Sequence, residues 1–206
     1  MKPKVCLEAL ELPDPDRFGA VALSGGTDSV ALLGLMQQKF GSHKVIALHV
    51  DHACRDEASR QQECSHVEHV CTQLGVELRR HTLKPSELKN EESLRTERYL
   101  ALSQMAKKNS CEWVALGHHR DDQLETIFMN LLRGTDLKGL CGMPAFFERH
   151  QQIYLRPLLK FSREDLERVV LAAQLTAFED PSNQTDRYHR NRVRSGLLPL
   201  CRELAP

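Results

Sequence analysis

Val21-Ala22-Leu23-Ser24-Gly25-Gly26-Thr27-Asp28-Ser29 is the stretch from which the rest of the chain can be read. Three apolar residues run into Ser-Gly-Gly, and Thr-Asp-Ser then opens the helical pattern Val30, Leu33, Gly34, Met36. That order predicts a strand, a tight turn and a helix N-terminus. Glycines lack a Cβ, so the backbone at Gly25 and Gly26 can turn sharply and approach a ligand closely. Free N–H groups at a helix start, together with the macrodipole, favour a phosphate there. The hydroxyls of Ser24, Thr27 and Ser29 add donors. Asp28 would repel a bare phosphate, and fits once a divalent cation lies between the two. Ordinary helix capping accounts for one Ser, Thr or Asp, but not for the whole run directly after a buried-type strand. Neither a Walker A pattern nor G-x-G-x-x-G occurs in the chain.

Outward from this loop, strands and helices alternate. Lys44–His52 reads as a second buried strand ending in His49-Val50-Asp51-His52. Cys64, Val67, Cys71 and Leu74 recur at three- and four-residue steps, a helix closed by Gly75. Val76–Leu83 reads as a third strand, and residues 92–108 as a helix with Tyr99, Leu102, Met105 and Ala106 on one side. Trp113–Leu116 is a fourth strand, running into Gly117-His118-His119-Arg120-Asp121-Asp122-Gln123 and a helix that ends by Gly134. A Gly-rich loop at 139–144, a fifth strand over 153–159 and an amphipathic helix through Leu166, Val169, Val170 and Ala173 follow. Such alternation indicates βαβ units and a parallel sheet, with ligands at the carboxyl ends of the strands. Each polar cluster falls at such an end.

Among these clusters, Asp51 suits ribose or metal binding at a strand end, while His49 reads as packed and hydrogen-bonded. Asp121, Asp122 and Glu125 share a helical face. Neighbouring acids repel, so they imply either solvent or a cationic ligand such as Mg²⁺ or an amine. An exposed acidic helix start is the competing reading. His66 and His69 lack a third ligand and read as a solvated face. Cys141 reads as structural, because nothing beside it lowers a thiol pKa. Arg187, Arg190 and Arg194 would line one helical face, a spacing that suits a polyanion backbone, with a solvated surface helix as the competing reading.

The 206 residues carry 28 basic and 28 acidic side chains, so total charge announces no nucleic-acid partner. Seven cysteines without a C-x-x-C pair suit a reducing compartment. With no membrane-length apolar run and no signal-peptide core, the expectation is a soluble cytoplasmic protein.

The loop resembles the PP-loop, SGGxDS, of the ATP pyrophosphatases, which cleave ATP between its α and β phosphates. Taken together, SGGTDS at 24–29, HVDH at 49–52, LRTERY at 94–99, GHHRDDQLET at 117–126, LLRGTDLKGL at 131–140, Arg156-Pro157-Leu158-Leu159 and EDPSNQTDRYHRNRVR at 179–194 resemble the tRNA(Ile)-lysidine synthase family. The resemblance implies a Rossmann-like α/β fold, a parallel sheet with helices on both faces. It divides the chain into a PP-loop domain at 1–160 and a short, basic helical appendage at 161–206 that meets tRNA. It also implies that lysine is joined to the wobble cytidine of tRNA(Ile), through an adenylated cytidine, at the expense of ATP. Ser24, Gly25, Gly26, Thr27, Asp28, Ser29 and Asp51 would then hold ATP, with Mg²⁺ on Asp28. Arg95 would touch the α-phosphate, and Asp121, Asp122 and Glu125 the lysine. Arg187, Arg190, Asn191 and Arg194 would contact the tRNA. Two departures stand out. Many members continue into further tRNA-gripping domains, and the usual HVDHGLR here has Ala53 and Cys54 in place of Gly and Leu. The rival readings are a PP-loop tRNA thiolase and a non-catalytic tRNA-binding remnant.

Overall fold

The computed structural model describes residues 17–51, 56–83, 91–178 and 193–204. Its strands are β1 (Gly19–Ala22), β2 (Val45–Asp51), β3 (Glu77–Thr82), β4 (Trp113–Ala115), β5 (Phe146–Arg149) and β6 (Gln152–Leu155). They form one sheet of order β3-β2-β1-β4-β6-β5, parallel throughout except where β5 pairs with β6. The helices are α1 (Thr27–Phe40), α2 (Glu57–Leu74), α3 (Glu91–Lys108), α4 (Arg120–Leu132), the short α5 (Leu137–Leu140) and α6 (Arg163–Ala172). A π-helical turn, Val193–Leu197, leads into α7 (Leu198–Leu204).

β1 and β4 are apolar throughout, and β2 is apolar from Val45 to Leu48, because both faces of the sheet are covered, as parallel sheets require. Side chains alternate across a strand. Ala20, Ile46, Leu48 and Val114 therefore meet Tyr99, Leu102, Met105 and Ala106 of α3 on one face. Val21, Val45, Ala47, Trp113 and Ala115 meet α1, α2 and α6 on the other. Truncating a fully buried member such as Leu33 or Met36 to Ala would cost about 2–5 kcal/mol in transfer and cavity energy.

This arrangement creates the site. From β1 the chain moves by α1 to β2 and β3 on one side, and α3 then carries it back across β1 to β4. The carboxyl ends of β1 and β4 thus flank the point where the winding reverses, which is where open α/β sheets bind ligands.

Two features differ from the sequence expectations. The strand expected over 153–159 is shorter and forms a hairpin with β5, an element that alternation alone did not reveal. The hairpin tip, His150-Gln151, has φ values of 52° and 59°. Both lie in the left-handed region that Asn-Gly would advertise and His-Gln does not. The second concerns α6, which lies beyond the boundary expected at residue 160. Its Leu166, Val169 and Val170 bury in the same cluster as α1. Among the described residues, no helix is long and apolar enough to cross a membrane.

Candidate active site

The loop after β1 is shaped by its backbone. Gly25 has φ 84°, and Gly26 is the N-cap of α1, with no side chain capping the helix. The hydroxyls brace the turn instead. Ser29 Oγ donates to the Gly26 carbonyl at 2.9 Å and accepts from the Ser24 N–H at 3.1 Å. The start of a 14-residue helix is thus left without a side-chain cap, as an anion-binding N-terminus requires. The ordinary capping reading of Thr27 and Asp28 is excluded by this geometry. Gly117, just after β4, closes the loop from the other side. A Cβ there would stand 3.1 Å from the backbone of Asp28 and Ser29, a contact that would push the two segments apart by a few tenths of an ångström.

A cavity of about 480 Å³ opens above these strand ends, within the usual range for small-molecule sites. Ser24, Gly26, Asp28 and Ser29 line one part, and Leu48, Val50, Leu102 and Leu116 form an apolar part. Arg98, Arg163, Asp122 and Arg194 bring charge to the walls.

The acidic end is built on α4. His119 is its N-cap: the ring Nδ1 accepts from Asp121 N at 3.2 Å, and Asp122 returns a capping-box bond to the His119 N–H at 3.0 Å. With Nδ1 accepting, a neutral ring carries its proton on Nε2. That nitrogen stands 3.6 Å from Asp28 Oδ2 and 3.5 Å from Asp122 Oδ2. Glu125, one turn further on, is fully buried, and a buried carboxylate needs a cation. Arg194 supplies one, with Nε 2.5 Å from Glu125 Oε1 and an Nη 3.4 Å from Asp122. Burial opposes the Arg194 charge, but the Glu125 bond and the two carboxylates hold its pKa above the usual guanidinium value.

Burial pushes the Asp28 carboxyl above its ordinary pKa, and Asp122 adds to the rise, while His119, Arg163 and Arg194 oppose it. Asp28 Oδ1 is buried without a hydrogen-bond partner. An orphaned carboxylate oxygen beside an anion-binding helix start fits a divalent cation. Mg²⁺ commonly takes only one or two protein carboxylates, with substrate phosphates and water completing its shell.

The sequence-derived residues fall as follows. Gly25, Thr27, Asp121 and Glu125 stand behind the cavity wall, while Ser24, Gly26, Asp28, Ser29 and Asp122 line the cavity. Arg95 does not: it is exposed, and Arg98, one turn along α3, is the cavity arginine. Both lie in the same LRTERY stretch, and only the seating of α3 on the sheet chooses between them. Asp51 is gripped by Arg60, with Nε 3.1 and 2.9 Å from its two oxygens, and is absent from the cavity wall. His49 is buried and bonds the Leu23 carbonyl at 2.9 Å, the packed role expected of it. His66 does not belong to a solvated face. It packs on Phe178 at 6.1 Å beside Gly25, and burial lowers its pKa. Arg194 turns inward to the carboxylates, because buried Glu125 demands its charge. His52, Arg187, Arg190 and Asn191 lie outside the described residues. Sequence reasoning also missed Arg163, which enters the cavity wall from the first turn of α6. It missed Gln123 too, whose side chain fastens the Gly-rich loop through Met143 N at 2.7 Å and the carbonyls of Met143 and Cys141.

Comparison with known proteins agrees with this fold. The model of the PP-loop domain family matches residues 4–201. A curated tRNA(Ile)-lysidine synthase from Porphyromonas gingivalis strain W83 is 38% identical over 197 residues, covering 93% of this chain and 42% of the relative. Another, from Geobacillus kaustophilus, is 36% identical over 194 residues, covering 90% and 42%. The chain therefore spans about two-fifths of the length of the curated relatives it matches. Among solved structures, the U34-tRNA thiolase NcsA from Methanococcus maripaludis superposes with a TM-score of 0.75 at 20% identity, over 91% of this chain and 67% of that one. That likeness is one of fold.

Proposed function

Because the chain belongs to the PP-loop domain family, we propose that it joins lysine to the wobble cytidine of tRNA(Ile) in an ATP-dependent reaction. ATP would place its phosphates over the Ser24–Ser29 loop and its base against the apolar part of the cavity. Asp28 would hold Mg²⁺, and the ion, when bound, would offset the charge that develops on departing pyrophosphate. Cytidine O2 would attack the α-phosphorus as the bond to pyrophosphate breaks, turning a poor leaving oxygen into a good one. Arg98 is the α3 arginine able to stabilise that charge from the cavity wall. The lysine ε-amine would then attack C2, expelling AMP. The amine must first lose a proton, which Asp121, Asp122 or Glu125 would take.

The observation that carries this reading is one cavity with two opposed chemistries. An anion-binding helix start and Asp122, the cavity-facing member of a carboxylate cluster able to hold a cation, share its walls, and Arg194 already fills the second role from within the chain. The lysine ammonium would compete for that cluster, so Arg194 would shift as lysine binds. Two of the cysteines are unsuited to sulfur transfer. Cys71 and Cys111 are buried, and burial pushes each thiol up to about 12, far from the reactive thiolate.

The test is mass spectrometry of tRNA(Ile) after incubation with the protein, ATP, Mg²⁺ and lysine. Lysidine at the wobble position, with release of AMP and pyrophosphate, is the expected result. A sulfur-bearing nucleoside, or unmodified tRNA from folded protein with intact substrates, would overturn the reading.

A further inference from the structure

Away from the carboxylates, four arginines gather around a stack of aromatic rings on the α3 face of the sheet. Tyr99 of α3 meets Tyr154 of β6 edge-on at 5.1 Å, and Phe147 of β5 lies stacked on Tyr154 at 5.1 Å. The guanidinium carbons of Arg149, Arg98 and Arg95 lie 4.6, 5.8 and 5.9 Å from the Tyr99 ring centre, and that of Arg156 lies 4.1 Å from Phe147. Cation–π contact helps to seat each charge, but it does not neutralise any of them. Among the described residues no carboxylate forms an ion pair with any of the four. Arg149 donates to Thr96 Oγ1, and Arg156 to His118 Nδ1 and the Pro144 carbonyl. The Tyr99 hydroxyl is itself buried without a hydrogen-bond partner. At the far edge of the sheet, by contrast, Arg79 pairs with Glu77 and Arg80 with Glu68.

Like charges crowded around one ring are unfavourable without a counter-charge. The cluster also has a direction. Arg98 lines the cavity, Arg156 reaches the cavity residue His118, and Arg95 stands on the open surface. The positive charge therefore runs as a track from the cavity mouth outward over α3 and β5.

We propose that this track holds the RNA backbone on either side of the nucleotide delivered to the cavity, with Arg95 and Arg149 taking phosphates. The inference rests on the tRNA reading above and names the face of the chain that the RNA crosses. A fixed row of guanidinium groups on a rigid aromatic base positions phosphates without reading sequence. It would leave the flanking nucleotides held while the target base enters the cavity.

The experiment compares wild-type protein with Arg95→Gln/Arg149→Gln, measuring affinity for tRNA(Ile) transcript across a salt series. Two phosphate contacts to a single-stranded segment should flatten the slope of log K against log salt by about 1.4, at about 0.7 per contact. ATP affinity should stay unchanged. Arg95→Lys/Arg149→Lys keeps the charges and should keep the slope, which separates loss of charge from any loss of fold. Arg79→Gln/Arg80→Gln, on the far edge of the sheet, should leave the slope alone. An unchanged slope in the first variant, or an equal fall in the last, would overturn the track. Lysidine formation by that same protein would still leave the proposed reaction standing. Wild-type protein that binds no tRNA at any salt would remove both.

Discussion

At the phosphate-loop end of the cavity the working groups come from six consecutive residues, Ser24 to Ser29, braced mainly by hydrogen bonds that span at most five positions, with one long-range bond from the Phe178 N–H to the Gly25 carbonyl. At the α4 end they come from separate elements, and the bond that completes the cluster, Arg194 to Glu125, spans 69 residues. The first end is made by backbone, through Gly25 and an N-cap without a side chain. The second is made by side-chain charge, paired inside the protein. A site of the first kind takes its shape mainly from its own backbone. The second kind exists only once the C-terminal turn has folded back, and its charges can be exchanged for those of a ligand. The two ends should therefore respond differently to mutation.

The sharpest contrast is expected at Asp28. Asp28→Ala should reduce product formation about a thousandfold or more, on the scale of losing a preorganised electrostatic group, while the protein keeps its cooperative thermal transition. Such a loss without unfolding would fit a phosphate loop that holds its shape by backbone alone. Normal turnover in the folded variant would remove the metal-holding role assigned to Asp28.

At the other end the effect should fall on one substrate. Asp121→Asn and Glu125→Gln should raise the KM for lysine about ten- to a hundredfold, the worth of a charge-assisted contact of about 1.5–3 kcal/mol. The KM for ATP should move little. Equal changes in both constants would merge the two ends into a single metal-binding or structural unit.

A smaller effect, on stability, tests whether the carboxylates are paired as described. Arg194→Ala leaves Glu125 buried and short of its cation, and should destabilise the protein by about 1–3 kcal/mol. The lower part of that range suits an arginine whose side chain is 43% exposed. In a Glu125→Gln background the same change should cost much less, and denaturant melts of the four proteins give the coupling directly. Additive effects would mean that the pair contributes nothing.

The same contrast governs what could be read in advance. The parallel sheet was legible because Val21, Ile46 and Val114 sit in short apolar runs at regular intervals. The phosphate loop was legible because glycine and hydroxyl residues encode a backbone shape locally. Arg98 was harder to find, since Arg95 and Arg98 are one helical turn apart and only docking against the sheet decides which faces the cavity. The Asp51–Arg60 pair and the inward turn of Arg194 were not legible at all. Each depends on which charge finds which across the folded chain, and no local period reports that. β5 was hidden for a different reason: its turn is made by His150 and Gln151, residues that carry no turn signal.

The smallest effect expected is one of sign, again at Asp28. Its folded-state pKa is raised by burial and, further down, by the Asp122 charge, against the pull of His119, Arg163 and Arg194. A raised carboxyl binds its proton more tightly in the folded protein than in the unfolded chain. Its contribution to stability is therefore fully present below the ordinary value of 3.8 and is lost as pH rises through the folded value. Asn carries no such charge. Asp28→Asn should melt at a higher temperature than wild type at neutral pH. The advantage should shrink as pH falls through the raised value and vanish below 3.8. Thermal melts of the two proteins from acid to neutral pH, without divalent cation, measure it. Adding Mg²⁺ at neutral pH should then narrow the gap from the other direction, by stabilising wild type alone. A gap independent of pH would mean that Asp28 is as well solvated in the folded protein as in the unfolded chain, and that its orphaned oxygen is waiting for nothing.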